Sequence, residues 1–401
     1  MASYTLEKVM IPRSSFFLWW YLCSLSFPQD AYCNPPPSSL TASNTGSPIR
    51  TIYQWPNNTA VENLAIRSNG MILATILNSP EVWQVDPVRE TATLLYRFPA
   101  AASALGIAEV EHDAFAVAVG NFTLSDLSEG LGSWAIWTVD FNGRRGNDHV
   151  SWSAWGRWRN KRNDRGRRPS SQPHIQRVAP IPSVFSINGV TSITNSSLIL
   201  LAVTDASNAR VGSFDIATGT YSTAISSASF PNQGGADING LATSYENNQL
   251  TLYATFNGGE PVFGRIPIHK NGTAAAAFEV LLDKPAWPTN ADAPQGADGI
   301  TLGRSGTVWL ATNSGNQVVR ASTVDSPSDA VVLAGGPNDT LIAGPTALQF
   351  GRTRWDEDVL YLSLTGGFAY PGATGVVGGR VVALDTSRLE QPFEDQWIDG
   401  T

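Results

Sequence analysis

The chain has 401 residues and a net charge of -8, with aliphatic residues, Thr, Tyr and Trp abundant and Lys and Glu sparse. That acidic balance argues against a nucleic-acid binder or a protein that docks on an anionic membrane. No long amphipathic helical pattern occurs; period-2 segments broken by Gly, Asn, Asp and Pro point to an all-β class.

The first 33 residues read as a secretory signal peptide. Lys8 and Arg13 precede the apolar run from Phe16 to Cys23, a basic region followed by a short apolar core. The run is too short to span a bilayer comfortably, so a protein of the secretory pathway, secreted and without stable membrane insertion, is expected. Cys23 and Cys33, the two cysteines, both lie in this leader. After cleavage there would be neither a disulfide nor a thiol nucleophile, and a Cys23–Cys33 bridge requires the leader to be retained. Residues 34–48, rich in Pro, Ser and Thr, form a flexible linker. Asn57, Asn121, Asn195, Asn271 and Asn338 each open an Asn-x-Ser/Thr sequon and are the expected glycosylation sites.

A strand at Ile49–Trp55 comes next, and then a set of segments that look like variants of one another. They begin at Glu62 (ENLAIRSNGMILATILN), Ala104 (ALGIAEVEHDAFAVAVGN), Ile187 (INGVTSITNSSLILLAVTD), Ile238 (INGLATSYENNQLTLYATFNGG) and Ala297 (ADGITLGRSGTVWLATNSGN), with a weaker sixth copy from Gly344. Strand-rich repeats roughly 40–50 residues apart are the signature of a β-propeller. Residues 49–401 are therefore expected to form one six-bladed propeller with an axial pocket. Its closing strand would be Gly379–Asp385 paired with the strand from Ile49.

One stretch, residues 144–177, falls outside the pattern. It crowds ten of the chain's 26 basic residues together with Trp152, Trp155 and Trp158. It reads as a disordered surface insertion; the competing reading is a basic, aromatic surface for an anionic partner.

A propeller gathers the same position of every blade around its axis. The candidates are Glu62 and Asn63, Asn188, Asn239 and Asp298, with Gly106 and Thr346 at the corresponding places in the second and sixth copies. The plainer reading is that Asn-Gly and Asp-Gly are good turn dipeptides. The loops before the inner strands carry Phe98, Phe185, Phe230 and Trp287, which would make an aromatic mouth for apolar small molecules. The Gly-rich stretch from Leu364 to Arg380 reads as a lid carrying Phe368 and Tyr370. There is no Gly-x-Ser-x-Gly elbow. The four histidines, His112, His149, His174 and His269, have no zinc-ligand spacing.

INGL from Ile238 and ADGITLGRSGTVWLAT from Ala297 resemble segments of the regucalcin/gluconolactonase family of six-bladed propellers. That resemblance implies a divalent cation (Ca²⁺, Mg²⁺ or Mn²⁺) held by Glu62, Asn239 and Asp298, with Asn188 as a further oxygen ligand and Asp298 as general base in lactone hydrolysis. Glu62 lies in VENLA and not in the family's Glu-Gly-Pro setting, and Gly106 offers no ligand. More narrowly, the leader, the sequons and the apolar mouth make the chain similar to a group of fungal secreted propellers. These are hetero-Diels–Alderases of tropolone–sesquiterpenoid meroterpenoid biosynthesis. That resemblance implies an enzyme without a required cofactor. It would join an o-quinone methide to a humulene-type alkene, with Asn188, Asn239, Asp298 and Glu62 as its catalytic groups. A metal-dependent lactonase and a non-catalytic secreted binding propeller are the alternatives.

Overall fold

Six four-stranded antiparallel sheets make up the fold in a computed structural model. It describes residues 48–123, 130–142, 172–194, 196–205, 208–231, 237–246, 248–257, 262–283, 296–303, 306–322, 330–368, 376–387 and 389. Blade 1 is β1 apart, built from β2 (Val61–Ile66), β3 (Ile72–Ile76), β4 (Glu81–Asp86) and β5 (Thr91–Arg97). Blade 2 has β6 (Ser103–Glu111), β7 (Ala114–Gly120), β8 (Ala135–Asp140) and β9 (His174–Pro180). Blade 3 has β10 (Ser186–Ser192), β11 (Leu198–Asp205), β12 (Asn208–Asp215) and β13 (Thr220–Ile225). Blade 4 has β14 (Asp237–Glu246), β15 (Gln249–Asn257), β16 (Phe263–Ile268) and β17 (Glu279–Leu282). Blade 5 has β18 (Ile300–Leu302), β19 (Thr307–Ala311), β20 (Gln317–Ser322) and β21 (Val331–Gly335). Blade 6 joins both ends of the described chain. β22 (Pro345–Phe350), β23 (Val359–Leu364) and β24 (Arg380–Asp385) are completed by β1 (Ile49–Gln54), which pairs with β24 from Ile49↔Leu384 to Gln54↔Arg380.

The first strand of each repeat is innermost. β2, β6, β10, β14, β18 and β22 touch one another in that order, and β22 returns to β2. The ring is thus closed, and the repeat seen in sequence is the repeat of the inner strands.

Strand character follows position. β7 and β23 are buried along their whole length, because blades cover both faces, and they are runs of Ala, Val and Leu. The outermost β5 and β13 are half exposed and carry polar residues among apolar ones. One apolar cluster fills each seam between blades. Leu64 and Val381 belong to the one joining blades 6 and 1, and Trp309 and Leu362 to the one joining 5 and 6.

Where blades 1 and 2 meet, at the end of the inner strands away from Glu62, Arg67 is buried and grips Asp113. Its Nε donates to Oδ1 at 2.8 Å and its NH2 to Oδ2 at 2.6 Å. The guanidinium also lies 3.5 Å from the centre of the Phe141 ring and donates to Gln84 Oε1. A bidentate pair with a stacked ring is the geometry in which a buried charge is tolerated.

The basic insertion is shorter than the composition suggested. His174–Arg177 belong to β9, and Asp140 pairs with His174. The stretch therefore leaves and re-enters the blade at the two ends of one hairpin. Its residues 143–171 lie outside the described residues, as do the leader and most of the linker.

Candidate functional site

The inner strands all start in the same irregular way. β10 and β14 carry bulges between Ile187 and Val190 and between Ile238 and Leu241. The extra residues are the Asn188-Gly189 and Asn239-Gly240 pairs. In β6 the bulge falls between Ala104 and Ile107, in β2 between Val61 and Asn63, and in β22 between Pro345 and Ala347. Asp298-Gly299 stands at the matching place just before β18, with Asp298 N–H donating to the Ala311 carbonyl at 2.7 Å. A bulge re-aims a side chain where a strand begins, and here it does so around the ring.

These dipeptides are not turns. Neither the asparagines nor Gly106, Gly189, Gly240 or Gly299 has a left-handed φ. The glycines are required for a different reason. A β-carbon on Gly106 would overlap the Asn188 carbonyl, one on Gly189 the Asn239 carbonyl, and one on Gly299 the Thr346 carbonyl. Each glycine lets its blade close against the axial residue of the next. The alignment also corrects the second blade: Leu105, followed by Gly106, holds the axial place, and Gly106 is its spacer. The six positions are Glu62, Leu105, Asn188, Asn239, Asp298 and Thr346.

Hydroxyls on the second strands fasten this ring. Thr75 Oγ1 donates to the Leu105 carbonyl at 2.5 Å. Thr255 Oγ1 donates to the Asp298 carbonyl, and Ser363 Oγ to the Glu62 carbonyl at 3.3 Å. Thr346 Oγ1 reaches the Val61 carbonyl at 3.0 Å, so its side chain serves the seam between blades 6 and 1.

Four of the expected residues meet at the axis. Glu62, Asn239 and Asp298 are buried and Asn188 is half-buried. Burial pushes the Asp298 carboxyl up to about 7, while hydrogen bonds from the Asn313 and Asn239 side chains partly offset the rise. Burial, and then the charge of Asp298, hold the Glu62 carboxyl well above the usual carboxylate range; a hydrogen bond from Asn188 opposes this. Among the described residues no cation pairs with either carboxyl. Two desolvated like charges side by side cannot both ionise cheaply. Asp298 therefore sits where a proton can be given or taken near neutral pH.

Asn313 was missed by sequence reading. It comes from the turn between β19 and β20, and its Nδ2 donates to Asp298 Oδ2 at 2.6 Å. The Asn-rich TNSGN stretch from Thr312 was the available signal.

The expected aromatic mouth is only partly assembled. Phe98 is 1% exposed and stacks edge-on with Tyr96 and Trp137 between blades 1 and 2. Phe230 is 5% exposed and packs on Phe256 and Phe278. Both fill seams and do not reach the axis. Phe185 is half-buried beside the start of β10. Phe368, half-buried after two left-handed glycines, packs against the cluster containing Ala60, Leu77 and Leu105. A residue of blade 6 thereby joins the apolar cluster to which the axial Leu105 of blade 2 belongs. Trp287 and Tyr370 lie outside the described residues.

Of the sequons, Asn57, Asn271 and Asn338 are exposed and Asn121 is half-buried; Asn195 lies outside the described residues. A hollow of about 160 Å³ opens at the opposite end of the inner strands among Met71, Val88, Trp355 and Tyr361. Its carboxylates are already engaged: Asp86 accepts from the Val88 and Arg89 amides and Asp356 from Thr353.

The axial donor set fits a hard divalent cation. Glu62 and Asp298 would supply carboxylate oxygens, and Asn188 and Asn239 amide oxygens if turned end for end, which leaves an Asn side chain the same shape. Among the described residues no group of three or more His, Cys, Asp or Glu gathers anywhere, so the amides would be needed to complete the shell. No helix among the described residues is long and apolar enough to cross a membrane.

No protein-family model matches the chain. A curated protein of a Phoma species named "Putative hetero-Diels-Alderase" is 23% identical over 361 residues, covering 81% of this chain and 90% of that one. Among solved structures, a luciferin-regenerating enzyme superposes with a TM-score of 0.56 at 13% identity, over 84% of this chain and 94% of its own. A calcium-binding regucalcin from Agrobacterium tumefaciens gives 0.53 at 12% identity, over 84% and 92%. The structural likenesses show a six-bladed propeller fold, and the sequence similarity is to one protein named a putative hetero-Diels-Alderase.

Proposed function

We propose that this chain is an enzyme of the hetero-Diels–Alderase type, working at the axial cluster. The substrate class is an o-quinone methide, formed by loss of water from a tropolone or phenol precursor, and a humulene-type sesquiterpene alkene. Asp298, protonated near neutral pH, gives its proton to the leaving hydroxyl and water departs, while the precursor's ring hydroxyl gives its proton to the resulting Asp298 carboxylate, so that a neutral quinone methide forms and Asp298 is protonated again. The diene oxygen and carbon of the quinone methide then bond to the two alkene carbons, closing a dihydropyran ring with no further reagent. Asn188 and Asn239 donate hydrogen bonds to the quinone-methide oxygen and draw electron density from the diene. Phe185, Phe368 and Leu105 offer apolar surface that holds the partners face to face, which lowers the barrier by removing translational freedom. The leader and the exposed sequons belong to a secreted protein in this reading.

The observation that carries this reading is the Asp298 carboxyl pushed up to about 7 among amide donors, in a chain similar to a protein named for this reaction. The second reading is a divalent-metal-dependent lactonase. It is favoured by two buried carboxyls without a cationic partner among the described residues. Glu62, Asp298, Asn188 and Asn239 would hold the ion, which would supply Lewis-acid polarisation of the lactone carbonyl.

The test is turnover of a tropolone quinone-methide precursor with humulenol, with and without EDTA, beside a panel of simple lactones. A cyclised adduct whose yield or stereochemistry depends on the protein and survives EDTA is expected, with Asn188→Ala and Asn239→Ala each slowing it about 10-fold or more. Adduct formation unchanged by both variants would remove the donor roles. Lactone hydrolysis abolished by EDTA, with no adduct, would replace the cyclase reading by the metal-dependent one.

A further inference from the structure

We propose that Asn313 is the positioning residue of the axial site, holding the Asp298 carboxyl in its working orientation from a rigid turn of blade 5. The inference rests on the cyclase reading for Asp298's task, but its geometry stands independently. Asn313 is 8% exposed and has a left-handed backbone, φ 42°. That conformation is uncommon for any residue but Gly, Asn and Asp.

The turn that carries it is tied down at every step. It is a single 3-10 turn, Asn313–Gly315, flanked by Thr312 and Asn316. Thr312 Oγ1 accepts from the Gln317 amide at 2.9 Å. Asn316, also left-handed at φ 52°, donates its own amide to the Asn313 carbonyl at 3.0 Å. Its side chain then reaches outward. Oδ1 accepts from the Gly344 amide at 2.7 Å, and Nδ2 donates to the Pro337 carbonyl at 3.2 Å. Gly344 leads directly into β22 and Thr346. The turn is therefore braced against the next blade, and Asn313 transmits that rigidity to Asp298.

The bond also selects an oxygen. Asn313 engages Oδ2 of Asp298 at 2.6 Å, which, together with the hydrogen bond from the Asn239 side chain, holds the carboxyl plane and sets how Oδ1 is presented. A carboxyl free to rotate would spend much of its time mis-aimed, and small misplacements of a catalytic group are costly in rate. Asn suits the place twice, tolerating the left-handed backbone and supplying the N–H.

The experiment compares the full chain with Asn313→Gly, which keeps the backbone and drops the amide, and Asn313→Asp, which keeps the shape and replaces the donor. Melting temperature, the crystallographic orientation of Asp298, and kcat and KM on the quinone-methide/humulenol pair are read. Both variants are expected to fold. Asp298 should lose its single orientation in Asn313→Gly, and kcat should fall about 10- to 100-fold with KM within about twofold. An Asp298 that keeps its orientation, or a kcat within about twofold of the parent, overturns the proposal. If the parent chain makes no adduct, the cyclase reading fails, and the positioning role stands or falls on the orientation of Asp298 alone.

Discussion

The Gly240 amide donates to the Asp298 carbonyl at 3.0 Å, and a β-carbon on Gly240 would stand 2.6 Å from that same oxygen. One atom thus limits how close blades 4 and 5 can come at the axis. Gly240→Ala must push the inner strands apart or break the bulge, at a cost of about 3 kcal/mol or more. Gly336→Ala, where an added carbon meets nothing within 4 Å, should stay within about 0.5 kcal/mol. Urea unfolding of the two variants checks this; equal stabilities would deny the close-approach role.

The axial carboxyls should make the protein less stable as pH rises. Asp298 ionises at about 7 in the fold against an ordinary 3.8, so the folded chain holds the extra proton between those values. Its contribution is fully present below about pH 4 and is lost as pH climbs through 7. Asp298→Asn keeps an acceptor for Asn313 and removes the charge. It should flatten the decline between pH 4 and 7 and raise stability at pH 8 by about 1 kcal/mol or more, while slowing turnover. A melting-temperature series against pH measures both effects. A variant less stable than the parent at pH 8 would contradict the burial argument.

Arg67 and Asp113 offer a contrasting case at the other end of the inner strands. Arg67→Met leaves the Asp113 carboxylate buried without its partner and should cost about 3–5 kcal/mol. Adding Asp113→Asn, which tolerates the left-handed backbone at φ 56°, should recover a good part of that loss, because the remaining charge is gone. A double variant no more stable than Arg67→Met would mean that the cost lies in lost packing on Phe141.

Asp140 pairing with His174 makes the basic insertion a hairpin connection. Replacing residues 145–171 with a short Gly/Ser linker should leave the melting temperature within about 2 °C, since the paired ends supply the register. A large fall in stability would show that the stretch packs on the propeller.

Much of this arrangement was legible because a propeller repeats its inner strand. Glu62, Asn188, Asn239 and Asp298 occupy one place in that repeat, and closing the ring brings them together. What was not legible depends on contacts between blades. Gly106 looked like the second copy's axial residue until the bulge register moved Leu105 into that place. Phe98 and Phe230 precede inner strands, as mouth residues would, but apolar seams on either side captured them. Asn313 escaped because it stands at the far end of its repeat, in the turn after a second strand, and not at the inner-strand start that the axial argument follows. Its significance also depends on a left-handed backbone that no spacing announces. The Asn-Gly pairs were visible, while their purpose was not: a turn and a close approach both call for glycine.

Because β1 enters at Ile49 beside Leu384 and reaches Gln54 beside Arg380, it runs towards the end of blade 6 where Thr346 sits. The backbone therefore enters β1 from the side of the disc opposite the carboxyl pair. A chain tethered to a bead just ahead of β1 would present Glu62 and Asp298 outward, so a fusion partner or capture tag is best placed there when ligand access is to be measured.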